Sequence, residues 1–370
     1  MRAIGRISYS WYLWHWPVLI LAGAYFGHLG TAGLLAAAVV SLGVAAAAHA
    51  LVENPVRFAP FLVARPRLSL AGAAALTLCG VTAAHGWRLL ARRAAAEPAQ
   101  LRYAQARADL PRVYAVGCHL VYSQVREPPC AFGDVASDTT VVLFGDSHAA
   151  QWFPALQRVA GERHWRLVSL TKSGCPAANV PMYDPRLKRR YWECDEWRAL
   201  ALRRIESSRP ALVVVSEASH YVAHGPEIPP DQVSDARWTA GLHETLAALT
   251  AARVPVTVIS DTPAPGYDVD VCLSRLHWLH GSGVSGCAFP LRTAVDSQVA
   301  ADVVRADSGL AGVRVVSLSD AICGGGVCSP EKHGMVVYRD GDHLTASYAA
   351  TLAPALASRL EAAPRRGRGT

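Results

Sequence analysis

Ser147 lies where the apolar run Thr140-Val141-Val142-Leu143-Phe144 breaks at Gly145-Asp146-Ser147-His148 and passes into a helix-prone stretch. A serine at that break stands at the carboxyl end of a buried strand, where open α/β sheets bind ligands and a helix N-terminus favours an oxyanion. Near the other end of the chain, Asp340-Gly341-Asp342-His343-Leu344-Thr345 sets a carboxylate three residues ahead of a histidine. A hydroxyl is a poor nucleophile until a base takes its proton; histidine is the natural base, and a carboxylate holds its tautomer. Ser147, His343 and Asp340 therefore point to Ser-His-Asp chemistry. Asp342 is the rival orienting group, with a helix cap or a solvated carboxylate as its alternative reading. Gly-Asp-Ser alone is a weak pattern, and position strengthens it: the serine follows the first predicted strand, and Asp340-x-x-His343 follows the last.

The elements that must bring these residues together alternate. Strands are expected at Thr140–Phe144, Arg166–Leu170, Leu212–Ser216, Val256–Ser260 and Arg314–Leu318. Helices are expected at Ala150–Arg163, Tyr191–Ser207, Asp235–Ala252, Thr293–Ser308 and Thr345–Leu360. Such alternation predicts a parallel sheet covered by helices on both faces, a three-layer α/β/α arrangement whose carboxyl edge both motifs can reach. Pro263–Pro265 and Ser282–Gly286 read as loops. Gly324-Gly325-Gly326 is not followed by Lys-Ser/Thr, which argues against a phosphate loop.

The 370-residue chain has room for two domains, and its 51% hydrophobic content is concentrated at the start. Ser8–Gly27, Ala32–Leu51 and Leu68–Trp87 are nearly uncharged and each approaches the ~20 residues that span a bilayer, so three transmembrane helices are expected. The net charge of +7 invites a nucleic-acid partner until it is divided along the chain. Residues 1–100 carry eight Lys/Arg against Glu53 and Glu97, and the tail adds Arg365, Arg366 and Arg368. What lies between holds 25 basic and 27 acidic residues, which excludes a basic nucleic-acid surface there. Arg2, Arg6, Arg57, Arg65 and Arg67 place the N-terminus and the second loop in the cytoplasm and everything beyond Trp87 outside, with Arg88, Arg92 and Arg93 arguing weakly against.

Cysteines support the outside assignment. Cys79 falls in the third apolar stretch, and the other eight follow as neighbours: Cys118/Cys130, Cys175/Cys194, Cys272/Cys287 and Cys323/Cys328. Short loops are the easiest to close, so nearest-neighbour pairing is the expectation, and an even, local set fits an oxidising compartment. Zinc is the alternative, weakened because none of these spacings is a doubled Cys-x-x-Cys. The resulting layout is a membrane region at 1–90, a linker and disulfide-stapled entry segment at 91–138, a catalytic domain at 139–362 and a basic tail at 363–370.

The Gly145-Asp146-Ser147-His148 block, Ser173-Gly174-Cys175-Pro176 after the second strand, Asp261-Thr262-Pro263 after the fourth, and the Asp340–Thr345 block resemble the SGNH (GDSL-type) hydrolase domain fused to bacterial membrane acyltransferases of the acyltransferase-three family. At the N-terminus, residues 6–17 (Arg-Ile-Ser-Tyr-Ser-Trp-Tyr-Leu-Trp-His-Trp-Pro) and 52–57 (Val-Glu-Asn-Pro-Val-Arg) are similar to the last blocks of that family's membrane domain. The resemblance covers nearly the whole chain. It implies an SGNH-like fold with Ser147 as nucleophile, His343 as base, Asp340 as its partner, and the amides of Ser147 and Gly174 as oxyanion donors. Two departures stand out. The Gly-x-Asn-Asp block that supplies a further donor is replaced by Ser216-Glu217-Ala218-Ser219-His220-Tyr221, and loss of such a donor costs about 10²–10³ in rate. The membrane part is short and lacks the early helices that carry the acyl-handling histidine and arginines. The resemblance therefore implies the C-terminal part of a longer fused enzyme.

The expected function is transfer of an acyl group, most simply acetyl, through an acyl-serine to a hydroxyl of a cell-envelope polysaccharide outside the inner membrane. The partners would be an acyl donor, the glycan acceptor, the membrane and a separate acyl-delivering membrane protein, with no cofactor, metal or nucleic acid. A carbohydrate esterase and a non-catalytic glycan-binding module are the alternatives. Other conspicuous residues have plain readings beside functional ones. His15 among Trp11, Trp14 and Trp16 reads as part of an interfacial aromatic belt or as a polar group in the membrane. Trp192, Trp197, Trp238 and Trp278 read as packing or as sugar platforms. His148 either polarises substrate or supports its neighbours. Asp146, Asp340, Asp342 and His343 could hold a divalent metal, although serine chemistry uses the same residues without one.

Overall fold

In the computed structural model, residues 2–27, 29–280 and 284–361 are described; the basic tail expected at 363–370 lies outside them. The chain divides into two compact units, one of Met1–Arg102 with Val271–Gly283, the other of Tyr103–Asp270 with Val284–Thr370.

In the first unit, α1 (Arg2–Phe26), α2 (Thr31–Ala48) and α3 (Pro66–Ala95) form where the three apolar stretches lie. Thr31–Arg57 and Pro66–Ala95 are long and apolar enough to cross a bilayer. The first helix, 25 residues with Pro17 inside, is long enough but carries serine, histidine and tyrosine among its tryptophans, so two of the three expected spans meet both requirements. It packs on α2 through polar contacts as well: Trp11 Nε1 donates to Ser41 Oγ at 2.9 Å, and Ser10 Oγ donates to Glu53 at 2.5 Å. His15 spends Nδ1 on the backbone carbonyl of Tyr12, 2.7 Å away, which fits the plain reading of that ring.

The second unit is built on the expected sheet. Its strands are β1 (His119–Leu120), β2 (Ala131–Gly133), β3 (Thr140–Gly145), β4 (Arg166–Lys172), β5 (Leu212–Ser216), β6 (Val256–Ile259) and β7 (Val313–Val316). The order is β1-β4-β3-β5-β6-β7, all parallel, with β2 antiparallel on β4. Residues 141–145 and 213–216 are buried, as near-continuous Val/Leu/Phe runs require when helices cover both faces. Of the segment 91–138, residues 103–138 thus belong to this unit, and their two short strands add to the free edge of β4, while 91–95 continue α3. The chain turns from β3 to β4 on one side and returns to β5 on the other, so the crevice where strand order reverses opens at the carboxyl end of β3.

Helices follow the expected positions. Phe153–Glu162, Trp192–Ser208, Asp235–Ala251, Ser297–Asp307 and Ala353–Glu361 cover the sheet, with Trp197 and Trp238 fully buried against it. Two helices of nine residues or more were not expected, and Pro98–Ala106, within the segment read as linker and entry, is the first. Val269–His280, in the segment after β6, is the second. Disulfides join Cys118 to Cys130, Cys175 to Cys194 and Cys323 to Cys328, as nearest-neighbour pairing predicts; Cys272 and Cys287 are disulfide-bonded too, and Cys79 is free.

Candidate active site

The turn carrying Ser147 is fixed from below. Gly145 holds φ at +145°, and a Cβ there would lie 2.0 Å from the carbonyl oxygen of Ser216 on the neighbouring strand, so only glycine fits. Asp146, fully buried, accepts from the amides of His148 (2.7 Å) and Ala149 (3.4 Å) with one oxygen and from the amide of Ala218 (3.0 Å) with the other. It caps the turn and ties it to the loop after β5. Both oxygens are committed to amides, so Asp146 does not join Asp340, Asp342 and His343 as a metal-binding group. The serine hydroxyl itself makes no hydrogen bond among the described residues.

The register β3 to β4 pairs Gly145 with Thr171, which brings the Lys172–Cys175 turn alongside the serine. That turn is anchored at nearly every residue. Lys172, fully buried, donates to the carbonyls of Val121 (2.9 Å), Tyr122 (3.0 Å) and Gln124. Burial lowers its ammonium to about 8, partly offset by Glu193 and Glu127. Ser173 pairs through Oγ with His119 Nε2 at 2.9 Å and through its carbonyl with the Tyr191 hydroxyl at 2.9 Å, while Cys175 is bonded to Cys194. Gly174 sits at φ +61° with the Tyr122 ring 3.1 Å from where a Cβ would be, and its amide donates to nothing among the described residues. A rigid turn with an unspent N–H beside a serine is what an oxyanion site requires.

His343 reaches the same turn from the far end of the chain. Its ring lies 4.6 Å from that of His148, and the Leu344 amide donates to Gln151 Oε1 at 2.8 Å, which locks the two segments together. His343 Nδ1 is 3.0 Å from both oxygens of Asp340 and 2.7 Å from Asp342 Oδ1. Nε2 is buried and unpartnered among the described residues. Asp340 also accepts from the amides of His343 (2.7 Å) and Asp342 (3.1 Å). Burial would raise the Asp340 carboxyl, but the bonds to His343 and the charge of Arg339 outweigh it and hold the group below its ordinary range. For Asp342 the same contest against burial, won by His148 and His343, leaves it far below. Both carboxylates are ionised around one imidazole nitrogen. The arrangement keeps the proton on Nδ1 and offers Nε2 as a base.

Of three further residues near the site, sequence left His148 between polarising substrate and supporting its neighbours, and gave Gln151 and His220 no role. His148 Nδ1 lies 2.5 Å from Asp261 Oδ1; Gln151 holds Leu344; and His220 Nδ1 is 3.7 Å from Asp342 Oδ2. Asp261 was visible as part of Asp261-Thr262-Pro263, and that motif was the one available signal. The loop that replaces the missing asparagine block is spent on structure: Glu217 accepts from the Ala178 amide at 2.9 Å, Ala218 donates to Asp146, and Ser219 donates to Asp261 at 2.7 Å. Potential ligand atoms of His148, Asp342 and His343 lie within 4.8 Å of one another, although Nδ1 of each ring is already engaged by a carboxylate.

A family model described as the SGNH domain fused to AT3 domains matches residues 117–358. The chain belongs to this SGNH family. The match takes in the sheet, the serine turn and the histidine turn, and leaves residues 1–116 uncovered. Solved structures with a similar SGNH fold include the periplasmic domain of a lipopolysaccharide acetyltransferase from Salmonella ser. Paratyphi A, at 15% identity over 62% of this chain and 86% of that one with a TM-score of 0.48. A carbohydrate esterase family 2 enzyme with a carbohydrate-binding domain from Corynascus thermopiles (Myceliophthora fergusii) matches at 15% identity, 64% and 68% coverage and a TM-score of 0.37. A GDSL-like lipase from Bacteroides thetaiotaomicron matches at 14% identity, 61% and 89% coverage and a TM-score of 0.36. No curated protein matches the chain in sequence.

Proposed function

We propose that this SGNH domain is an O-acyltransferase, acting on hydroxyls of an extracytoplasmic cell-envelope polysaccharide through an acyl group held on Ser147. The observation that carries the reading is the state of His343: Nδ1 is saturated by carboxylates while Nε2, buried and unpartnered, belongs to the segment locked against the serine's own turn. In the reaction His343 Nε2 takes the Ser147 proton as Oγ attacks the acyl carbonyl, and Asp340 stabilises the imidazolium. The tetrahedral oxyanion rests on the Ser147 and Gly174 amides, and its collapse expels the donor's leaving group with the proton from Nε2. A sugar hydroxyl, deprotonated by the same nitrogen, then takes the acyl group from Ser147.

Transfer and hydrolysis share this acyl-serine and differ only in whether sugar or water reaches it. The two apolar helices and the disulfides support an anchored domain on the oxidising side of a membrane, next to envelope glycans and within reach of an acyl-delivering membrane protein. The partition is measurable. With an acyl donor and envelope oligosaccharides supplied together, acetylated sugar should form at the expense of free acetate. Acetate release that no acceptor diverts would make the protein an esterase, and the lack of any acyl-enzyme at Ser147 alongside glycan binding would make it a binding module.

A further inference from the structure

His148 follows the nucleophile in sequence, yet its side chain is turned inward and only 1% exposed. Its Nδ1 is 2.5 Å from Asp261 Oδ1, and Asp261 is itself gripped by the amides of Ser219 and Thr262, each at 2.7 Å. On the other side of the ring, Nε2 stands 3.6 Å from Asp342 Oδ2 and has no closer partner among the described residues. Asp342 in turn reaches His343 Nδ1 with its other oxygen at 2.7 Å. The four side chains form a line of alternating carboxylate and imidazole, Asp261, His148, Asp342, His343, running from the end of β6 to the base. As a mere packing residue His148 would leave a buried nitrogen pointing at a carboxylate without purpose. Of the two anions crowded on one nitrogen, Asp340 has Arg339 at 3.9 Å, whereas Asp342 faces the rings of His148 and His220.

We propose that His148, held by Asp261, is a positioning residue that fixes Asp342 against His343 Nδ1 and so sets the orientation and basicity of the catalytic base. The proposal rests on His343 acting as that base. Burial alone would drive the His148 ring neutral, but Asp261, Asp342 and Asp146 outweigh it and keep the ring protonated well above the ordinary histidine range. The charged and titratable groups facing the pair are Asp261, Asp342 and Asp146 around His148, Asp340 and Arg339 beside His343, and the rings of His220 and His119. This imidazolium ring lies 4.6 Å from that of His343, near enough for its charge to act on the base.

The test uses the full chain in detergent with 4-nitrophenyl acetate, comparing His148→Gln, Asp261→Asn, Asp342→Asn, His148→Gln/Asp342→Asn and His343→Ala between pH 5 and 9. His148→Gln and Asp261→Asn should each lower kcat about 10–100-fold with KM little changed, the cost of a slightly misplaced base. The acidic limb of kcat/KM should move up in pH for His148→Gln, which removes a cation, and down for Asp342→Asn, which removes an anion. In the double variant the His148 change should add no further loss beyond Asp342→Asn, because it acts through Asp342. Losses that multiply, or acidic limbs that do not move, would overturn the proposal. Should His148→Gln fail to fold, Asp261→Asn, which keeps the ring, carries the same comparison. Retained activity in His343→Ala would instead overturn the underlying assignment of the base. An inactive His343→Ala beside wild-type kcat and pH profile in the His148 and Asp261 variants would overturn only the positioning role.

Discussion

At His343 Nδ1 two carboxylates compete, and geometry ranks them. Asp340 meets the nitrogen with both oxygens at 3.0 Å and is locked by two backbone amides, whereas Asp342 meets it with one oxygen, at 2.7 Å, and accepts no backbone amide among the described residues. An acceptor held by backbone amides and presenting both oxygens orients a ring better than one that presents a single oxygen. Ser147→Ala and His343→Ala should each lower acetate release from an activated aryl ester about 10³-fold or more, and Asp340→Ala should be more damaging than Asp342→Ala. Steady-state rates on folded variants check this, and a larger loss from Asp342→Ala would reverse the ranking. The serine, histidine and aspartate stood out as candidates in the sequence because acyl chemistry dictates their types and the Asp-x-x-His spacing is local. The His148–Asp261 contact was not legible. Its members are 113 residues apart and meet only because three crossovers bring the ends of β3 and β6 to one edge.

The strands and covering helices were readable because a parallel sheet buries both faces, which leaves uninterrupted runs such as Val141–Phe144 and Val213–Val215 bounded by turn residues. Val269–His280 escaped notice because Asp270, Ser274, Arg275 and His277 interrupt its apolar positions, and the prolines just before it suggest a loop. The two strands at His119–Leu120 and Ala131–Gly133 are too short to carry a periodicity. The loop after β5 shows what replaced the asparagine block: a buried carboxyl instead of a donor. Burial pushes Glu217 up to about 8, aided by Asp146 and opposed by the Ala178 amide and Arg198. A folded carboxyl raised above its unfolded value of 4.5 binds more protons in the native state. Its contribution is therefore fully present below pH 4.5 and is lost as pH rises through about 8. Glu217→Gln keeps an acceptor for Ala178 without the ionisable group. Thermal unfolding should find the variant little changed near pH 5 and more stable than wild type at pH 8 and above. Equal shifts at both pH values would show that Glu217 is ionised in the fold.

At the scale of the whole chain, charge, apolar helices and cysteines give one account of where the domain works. The positive excess belongs to residues 1–100 and the tail, and the folded domain between is close to neutral, so its surface has no general attraction for polyanions. The only free cysteine among the described residues, Cys79, lies in the helix Pro66–Ala95, and every described cysteine beyond that helix is disulfide-bonded. Short covalent loops of that kind persist where thiols are oxidised and are reduced in a cytosol. Residues 103–370 should therefore lie on the far side of the membrane from Arg57, Arg65 and Arg67, with Pro66–Ala95 spanning between. A reporter enzyme that folds only in an oxidising compartment, fused after Thr370, should be active, while the same reporter placed between Arg57 and Pro66 should not. Alkylation of native, unreduced protein after unfolding should then modify one cysteine of nine. Nine reactive thiols, or an active reporter in the Arg57–Pro66 loop, would place the SGNH domain in the cytoplasm and overturn the proposal of an envelope-glycan acceptor.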